Sequence, residues 1–291
     1  MNTLQGLNLT DVASQTLDHL GNFTPMFEMF ARNFADATRQ HGEKVVTRVP
    51  AALSAQDLSS GYTAGNLSSS AVEIELNMLK GFSCALTDYQ VSQAKSADFV
   101  FNIFTAPAIE ATITAFATDL LGLINPTSFS QSISVSSSDI DTDHLADAQK
   151  MLSDAKAPRS LRSIMLTPEY AATLSKDSAF YADVYGDRQP LLDGELGIMH
   201  GLNVVEYQDI PTTNNLRGFA CHPSALCIAA RHVAEPTTAP HVEVLQAVHP
   251  CGLPLQFRKF YNPTQGKTYL TVSILYGVSV GNSTCGVRIT T

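Results

Sequence analysis

Thiols and imidazoles are the side chains here whose types most readily suggest chemistry. Cys221, His222 and Cys227 stand close together, and His249 with Cys251 makes a second pair. Such residues combine as tetrahedral metal ligands, or as a Cys nucleophile activated by a His base. The spacing supports neither use. Cys221 and Cys227 straddle an expected strand-to-helix junction, neither pair forms a CxxC, and no HExxH occurs among the eight His. The five cysteines, Cys84, Cys221, Cys227, Cys251 and Cys285, follow no framework. An odd count in a cytosolic setting reads as free, mostly buried thiols.

Other fragments of motifs fail for stated reasons. Gly266-Lys267-Thr268 matches the end of a phosphate-binding loop, but Tyr261 stands where the first glycine is needed. The residues that follow alternate as a strand, whereas that loop must open a helix to aim N–H groups at phosphate. A hairpin turn is expected instead. Gly281-Asn282-Ser283-Thr284-Cys285 lacks the last glycine of a nucleophile elbow and has no helix to follow. It reads as a terminal turn and strand. The glycines of 194–201 miss the dinucleotide fingerprint. Glu73 and Glu75 alternate with apolar residues, which puts them on the solvated face of a strand. No catalytic residue, cofactor site or metal site is assigned.

Composition points the same way. Charged residues are 15% of the 291, below the roughly 25% of an ordinary soluble domain. Interface cores are depleted of charge, so burial against copies of the same chain is one simple account, and a neutral-surfaced monomer is the other. There are 18 basic and 27 acidic residues, a formal charge of −9. A protein that grips DNA through phosphates carries a basic patch, so sequence-specific DNA binding is not expected, although enclosing DNA needs no such grip. The first 20 residues hold Asp11 and Asp18 without a basic start and apolar run, so no secretory leader is expected. The apolar stretch 103–124 keeps Glu110 and Asp119, which suits a buried helix better than a membrane span.

The elements follow from periodicity. Residues 1–40 read as helical pieces, with Met26, Phe27, Phe30 and Phe34 at helical spacing. Val45, Val46 and Val49 make a strand, and 71–79 a second, with Val72, Ile74, Leu76 and Met78 alternating with polar residues. The Gly- and Ser-rich stretch 54–70 between them makes this an extended hairpin, which is hard to stabilise alone. The clearest helix is 103–124, with Thr105 as cap, Pro107 in its first turn and a stripe of Ile109, Ile113, Phe116, Leu120 and Leu123. Helices at 142–156 and 168–174, strands at 163–166, 202–207 and 219–221, and a helix from His222 through Arg231 make an α/β region. The C-terminal part alternates strictly from Leu270 to Val280, giving with 255–261 a long antiparallel pair across a turn at 262–267.

This order of arm, long hairpin, isolated helix, α/β region and final long strands resembles the tailed-phage major capsid protein family, whose fold is also that of encapsulins and the herpesvirus capsid floor. Local patterns similar to those coat proteins are 162–170, 192–205 leading to Asp209-Ile210-Pro211, 219–226, and Leu275-Tyr276-Gly277-Val278. The resemblance spans about residue 45 to the end. It implies an α+β (mixed) fold with an N-terminal arm (1–43), an extended loop (44–80), a peripheral domain (81–129 and 249–291) carrying a spine helix (103–125) and a long sheet, and an inserted α/β axial domain (130–248).

The implied function is self-assembly. Hexamers and pentamers would close an icosahedral shell around double-stranded DNA, built in the bacterial host cytoplasm and residing in the virion capsid. The implied partners are copies of the chain, a portal protein, a separate scaffolding protein and decoration proteins, with no membrane and no cofactor. The implied contact residues are Arg48, Leu58 and Tyr62 in the extended loop, Arg188 in the axial domain, and Asn262 and Gln265 at the peripheral tip. Two other readings are an encapsulin-like nanocompartment shell and, from a different class, a cytosolic Cys-dependent hydrolase.

Overall fold

The computed structural model describes residues 29–33, 44–50, 55, 57, 59, 61–62, 65, 67–93, 97–177, 196–234, 242–248 and 253–291. In chain order the elements are β1 (Ala31–Asn33), β2 (Lys44–Pro50), β3 (Ser69–Glu75), β4 (Met78–Thr87), α1 (Asp88–Gln93), α2 (Ala97–Gly122), β5 (Ser132–Ser134), α3 (Thr142–Asp154), β6 (Ser163–Leu166) and α4 (Pro168–Leu174). There follow β7 (Ile198–Met199), β8 (Leu202–Glu206), β9 (Leu216–Cys221), β10 (Leu226–Arg231), β11 (Val242–Val248), β12 (Pro254–Asn262), β13 (Lys267–Val280) and β14 (Gly286–Thr290).

β13 organises the first sheet. Thr268, Leu270, Val272, Ile274 and Tyr276 are buried along one side while the residues between them stay half-exposed, as the alternation requires. Each of the apolar side chains withdrawn from water contributes roughly 1.5–3 kcal/mol. Leu275 and Tyr276 pair with both β10 and β4, so these strands take opposite edges of β13. β12 also pairs opposite β4, and β11 and β1 extend the sheet beyond β12 and β10.

Helix α2 lies on this sheet. Ile109, Ile113, Phe116 and Leu120 are buried, with Leu123 partly so, and the Phe116 ring meets Tyr276 edge-on at 4.9 Å. Ala108, Thr112, Ala117 and Leu121 are buried too, so the helix is covered over more than one stripe.

The second sheet runs β5-β14-β9-β6-β8-β7. β6 is buried at every residue because it sits between β8 and β9 under helix cover. Leu145, Ala148 and Leu152 of α3 and Tyr170, Ala171 and Leu174 of α4 supply that cover, and the Tyr170 hydroxyl donates to the Val135 carbonyl at 2.8 Å. One apolar cluster runs through both sheets, from Phe116 and Tyr276 to Ile164 and Phe219.

Several expectations are corrected. Residues 226–231 are a strand, not a helix: the run Leu226-Cys227-Ile228-Ala229-Ala230 is buried on both faces between β1 and β13, where tertiary pairing overrides alanine's helix preference. The spine helix starts at Ala97, so Thr105 and Pro107 lie inside it. Pro107 is on an exposed face, where water can satisfy the carbonyl that loses its N–H donor. The helix ends at Gly122, ahead of Asn125-Pro126. Residues 31–33 form a strand beside β10, while most of the arm lies outside the described residues. The second hairpin strand breaks after Glu75 and resumes as β4, continuing to Thr87. Strand β11 was unforeseen. Gly266-Lys267-Thr268 does form the β12–β13 turn, with Gly266 at φ +58°.

Candidate assembly surfaces

The β2–β3 hairpin is a two-stranded sheet of its own, in register from Lys44 against Glu75 to Pro50 against Ser69. At its foot Lys44 bridges Glu75 at 2.5 Å and Glu73 at 3.4 Å, so the carboxylates expected on a solvated face are held by one ammonium. Those two hydrogen bonds and charges raise the Lys44 pKa. Ile74 and Leu76 anchor the foot against Cys227 and Ala229 of β10. Farther out Ser69, Ser70 and Ala71 are exposed on both faces. Arg48 is exposed opposite Ala71, and Tyr62, beyond the strands, is 95% exposed. A ribbon with water on both faces is marginal alone. Leu58 and Arg188 lie outside the described residues.

The far end of the first sheet is a second exposed surface. Asn262 Oδ1 accepts from the Thr264 amide at 3.1 Å and its carbonyl from the Gln265 amide at 3.2 Å, so Asn262 shapes the turn. Tyr269 donates to the side chain of Gln265. Helix α1 folds against the turn, where the Asp88 amide donates to the Gly266 carbonyl at 3.0 Å and Tyr261 donates to Asp88 Oδ2 at 2.8 Å. This brings exposed Tyr89 and Tyr261 beside Asn262 and Gln265. Both tyrosines were missed, because nothing local in 88–93 announces that it folds onto a turn 170 or so residues away. The outer edge of β4 has no strand partner among the described residues, and Leu79 and Phe82 on it are exposed.

A polar junction joins helix to sheet beneath these surfaces. Asp119 of α2 accepts from Lys80 of β4 at 2.6 and 2.8 Å and from Tyr276 of β13 at 2.5 Å. Partial burial raises the Asp119 carboxyl, but the bonds from Lys80 and Tyr276 outweigh it and hold it below the usual carboxylate range. Burial, then the carboxylate that accepts its hydrogen bond, push the Tyr276 phenol well up.

The thiols are placed for packing. Cys221, Cys227 and Cys285 are buried and Cys84 is half-buried. Burial raises Cys221, Cys227 and Cys84, against the purpose of a nucleophile. His222 turns away to Ser224, with Nδ1 2.8 Å from Oγ, and burial, then Arg32 and Arg162, lower its pKa. His249 and Cys251 are outside the described residues. Among the described residues no three His, Cys, Asp or Glu side chains gather as metal ligands, and no helix is long and apolar enough to cross a membrane.

No family model and no curated protein matches this sequence. Solved structures do match. A chain from Mycobacterium phage Che8 superposes with a TM-score of 0.65 at 19% identity over 90% of each chain. One from the capsid of cyanophage P-SCSP1u gives 0.65 at 11% identity over 91% of this chain and 87% of that one. A virus-like particle from Pyrococcus furiosus gives 0.56 at 12% identity, covering 97% and 100%. With its spine helix laid on a largely antiparallel six-stranded sheet and a second, mixed sheet beside it, the chain carries the mixed α+β fold of these phage capsid chains and of the virus-like particle.

Proposed function

We propose that this chain is a major capsid protein, which self-assembles into hexamers and pentamers that close an icosahedral shell around the DNA of a tailed phage. The observation that carries the reading is a capsid-subunit fold over nine-tenths of the chain combined with a hairpin whose outer β3 residues, Ser69, Ser70 and Ala71, are exposed on both faces. Such a ribbon gains stability by lying on a neighbouring copy, and rings follow from one repeated heterologous contact. Arg48, Leu58 and Tyr62 on the hairpin, Asn262 and Gln265 at the tip and Arg188 are the proposed contacts. Tyr89 and the open β4 edge join them, since an exposed edge is a template for pairing.

Sheet membership supports a division into two units. The first sheet with α2 makes the peripheral unit, and the second with α3 and α4 the axial unit. On this division β10 and β11 belong to the peripheral unit and β14 to the axial one. A portal, a separate scaffolding protein and decoration proteins are the further partners proposed, with synthesis in the host cytoplasm. The acidic chain encloses DNA without gripping its sequence. The role is structural, not catalytic, in keeping with thiols whose pKa burial raises.

Electron microscopy of the chain expressed with its neighbouring genes tests this. Closed particles containing DNA are expected, and a protein that stays monomeric in every condition overturns it. The match to the Pyrococcus furiosus particle favours a second reading, a nanocompartment shell. Particles holding a protein cargo in place of DNA would select it.

A further inference from the structure

Among the described residues the non-glycine positions with positive φ are Lys156, Leu161, His200, Asn214 and Asn215, and Leu161 is the apolar one. Lys156 is accounted for as the residue that ends α3, since the Ala157 amide bonds back to Leu152 at 3.0 Å. Asn and His tolerate this region; a γ-branched leucine at φ +58° does not do so without cost. Leu161 is also 74% exposed, so no packing within the subunit offsets the strain.

The loop does not relax, because Arg162 clamps it from inside. That side chain is 3% exposed, and its guanidinium donates to the carbonyls of Pro158 at 2.8 Å, Ala157 at 2.7 Å and Gln149 at 3.3 Å, and to Ser153 Oγ at 2.9 Å. Rigid, strained and solvent-facing apolar residues are what pre-organised contacts look like.

Charge indicates what covers it. Exposed Lys156 and Arg159 stand at the Leu161 end of α3 against Asp154 alone. The start of the helix shows exposed Asp139 and Asp143. The helix dipole accounts for Asp143, but not for Arg159, which lies beyond the last turn. The 13-residue helix holds Asp143 about 20 Å from Lys156, too far to meet within one subunit. Between successive subunits of a ring they can meet.

We propose that Leu161 and its basic loop pack against the acidic start of α3 in the next copy of the chain, a head-to-tail contact repeated around the capsomer. This rests on the shell reading above. The test uses full-length chain co-expressed with its neighbouring genes, with particle yield per unit of soluble chain measured by sedimentation and electron microscopy. Leu161→Asn relieves the backbone strain, so the unfolding midpoint of the subunit rises by about 2 °C. In the same variant particle yield falls at least about tenfold. Arg159→Asp also lowers yield, and combining it with Asp143→Arg restores it. Wild-type yield from Leu161→Asn overturns the proposal while leaving the shell reading intact, and so does a charge reversal that fails to rescue. If the wild-type chain itself forms no particles, the shell reading falls first.

Discussion

The hydroxyl of Tyr276, on the central strand, donates to Asp119 of the spine helix at 2.5 Å, and Lys80 of β4 reaches the same carboxylate at 2.6 Å. Three elements thus share one anion at the helix–sheet seam. Asp119→Asn removes the charge and leaves Lys80 without its counter-ion, and Tyr276→Phe removes a donor; each is expected to cost about 1–2 kcal/mol at pH 7. The folded carboxyl sits below its unfolded value, so its contribution is full above that value and fades as pH falls through the folded one. The stability gap between wild type and Asp119→Asn should be complete at neutral pH and begin to narrow below roughly pH 3.9. Urea unfolding at pH 7 and at a series of pH values below roughly 3.9 follows this, and a gap that does not narrow as the pH falls would refute the assignment.

Gly277 lies where the foot of the hairpin crosses the central strand. A β-carbon there would stand 2.0 Å from the Glu75 carbonyl oxygen, and one at Gly81 would stand 2.1 Å from that of Val272. Both obstacles are backbone, so neither can swing aside. Gly277→Ala is expected to destabilise the subunit by about 1–3 kcal/mol, the ordinary cost of overpacking. It should also loosen the hairpin, seen as faster amide exchange across 44–50 and 69–75. Unchanged exchange with unchanged stability would mean that the crossing is looser than described.

What the sequence revealed and what it hid divide along physical lines. Strand 267–280 was legible because one face is buried and the other half-exposed, which writes a period of two into the residues. Strand 226–231 was hidden because it is buried on both faces and so carries no period. Asp119 was visible only as a carboxylate interrupting an apolar stretch. Its partners lie 39 and 157 residues away, beyond any local pattern. The hairpin could be seen as two strands around a Ser-rich loop, but the strain at Leu161 is a backbone angle that no residue type announces.

Burial governs the tyrosines as well. It raises Tyr207 to about 12, helped by Asp209, and pushes Tyr276 up further in direction. A neutral phenol favoured by the fold stabilises fully below the unfolded value and is lost as pH rises through the folded one. Stability is therefore expected to decline from about pH 10 upward. Absorbance titration of the phenolates should show a late-titrating class that Tyr276→Phe reduces by one. Titration of every tyrosine near pH 10 in the folded chain would contradict the burial described.

Thiol reactivity separates packing from catalysis. Cys221, Cys227 and Cys285 are buried, and the first two have raised pKa values. Iodoacetamide at pH 7.5 should leave these three unmodified until the chain is unfolded, with half-buried Cys84 reacting slowly. Peptide mass mapping over time reads this out. Rapid, selective alkylation of Cys221 or Cys227 would revive the hydrolase alternative.

The hairpin offers the sharpest separation of folding from assembly. Its strands pair as far as Pro50 against Ser69, and its anchoring contacts are at the other end, where Ile74 and Leu76 meet β10. Deleting 53–66 leaves residues 51, 52, 67 and 68 between the strands, a loop of ordinary hairpin length. None of the described residues in the deleted segment belongs to the apolar core, and Tyr62 among them is 95% exposed. The shortened subunit should keep its circular dichroism and its unfolding midpoint within a few degrees. What it loses is reach, so shells should fail to form while soluble subunit accumulates. A deletion that unfolds the subunit would place the loop's partner within its own chain, and one that still yields closed particles would remove the loop from assembly altogether.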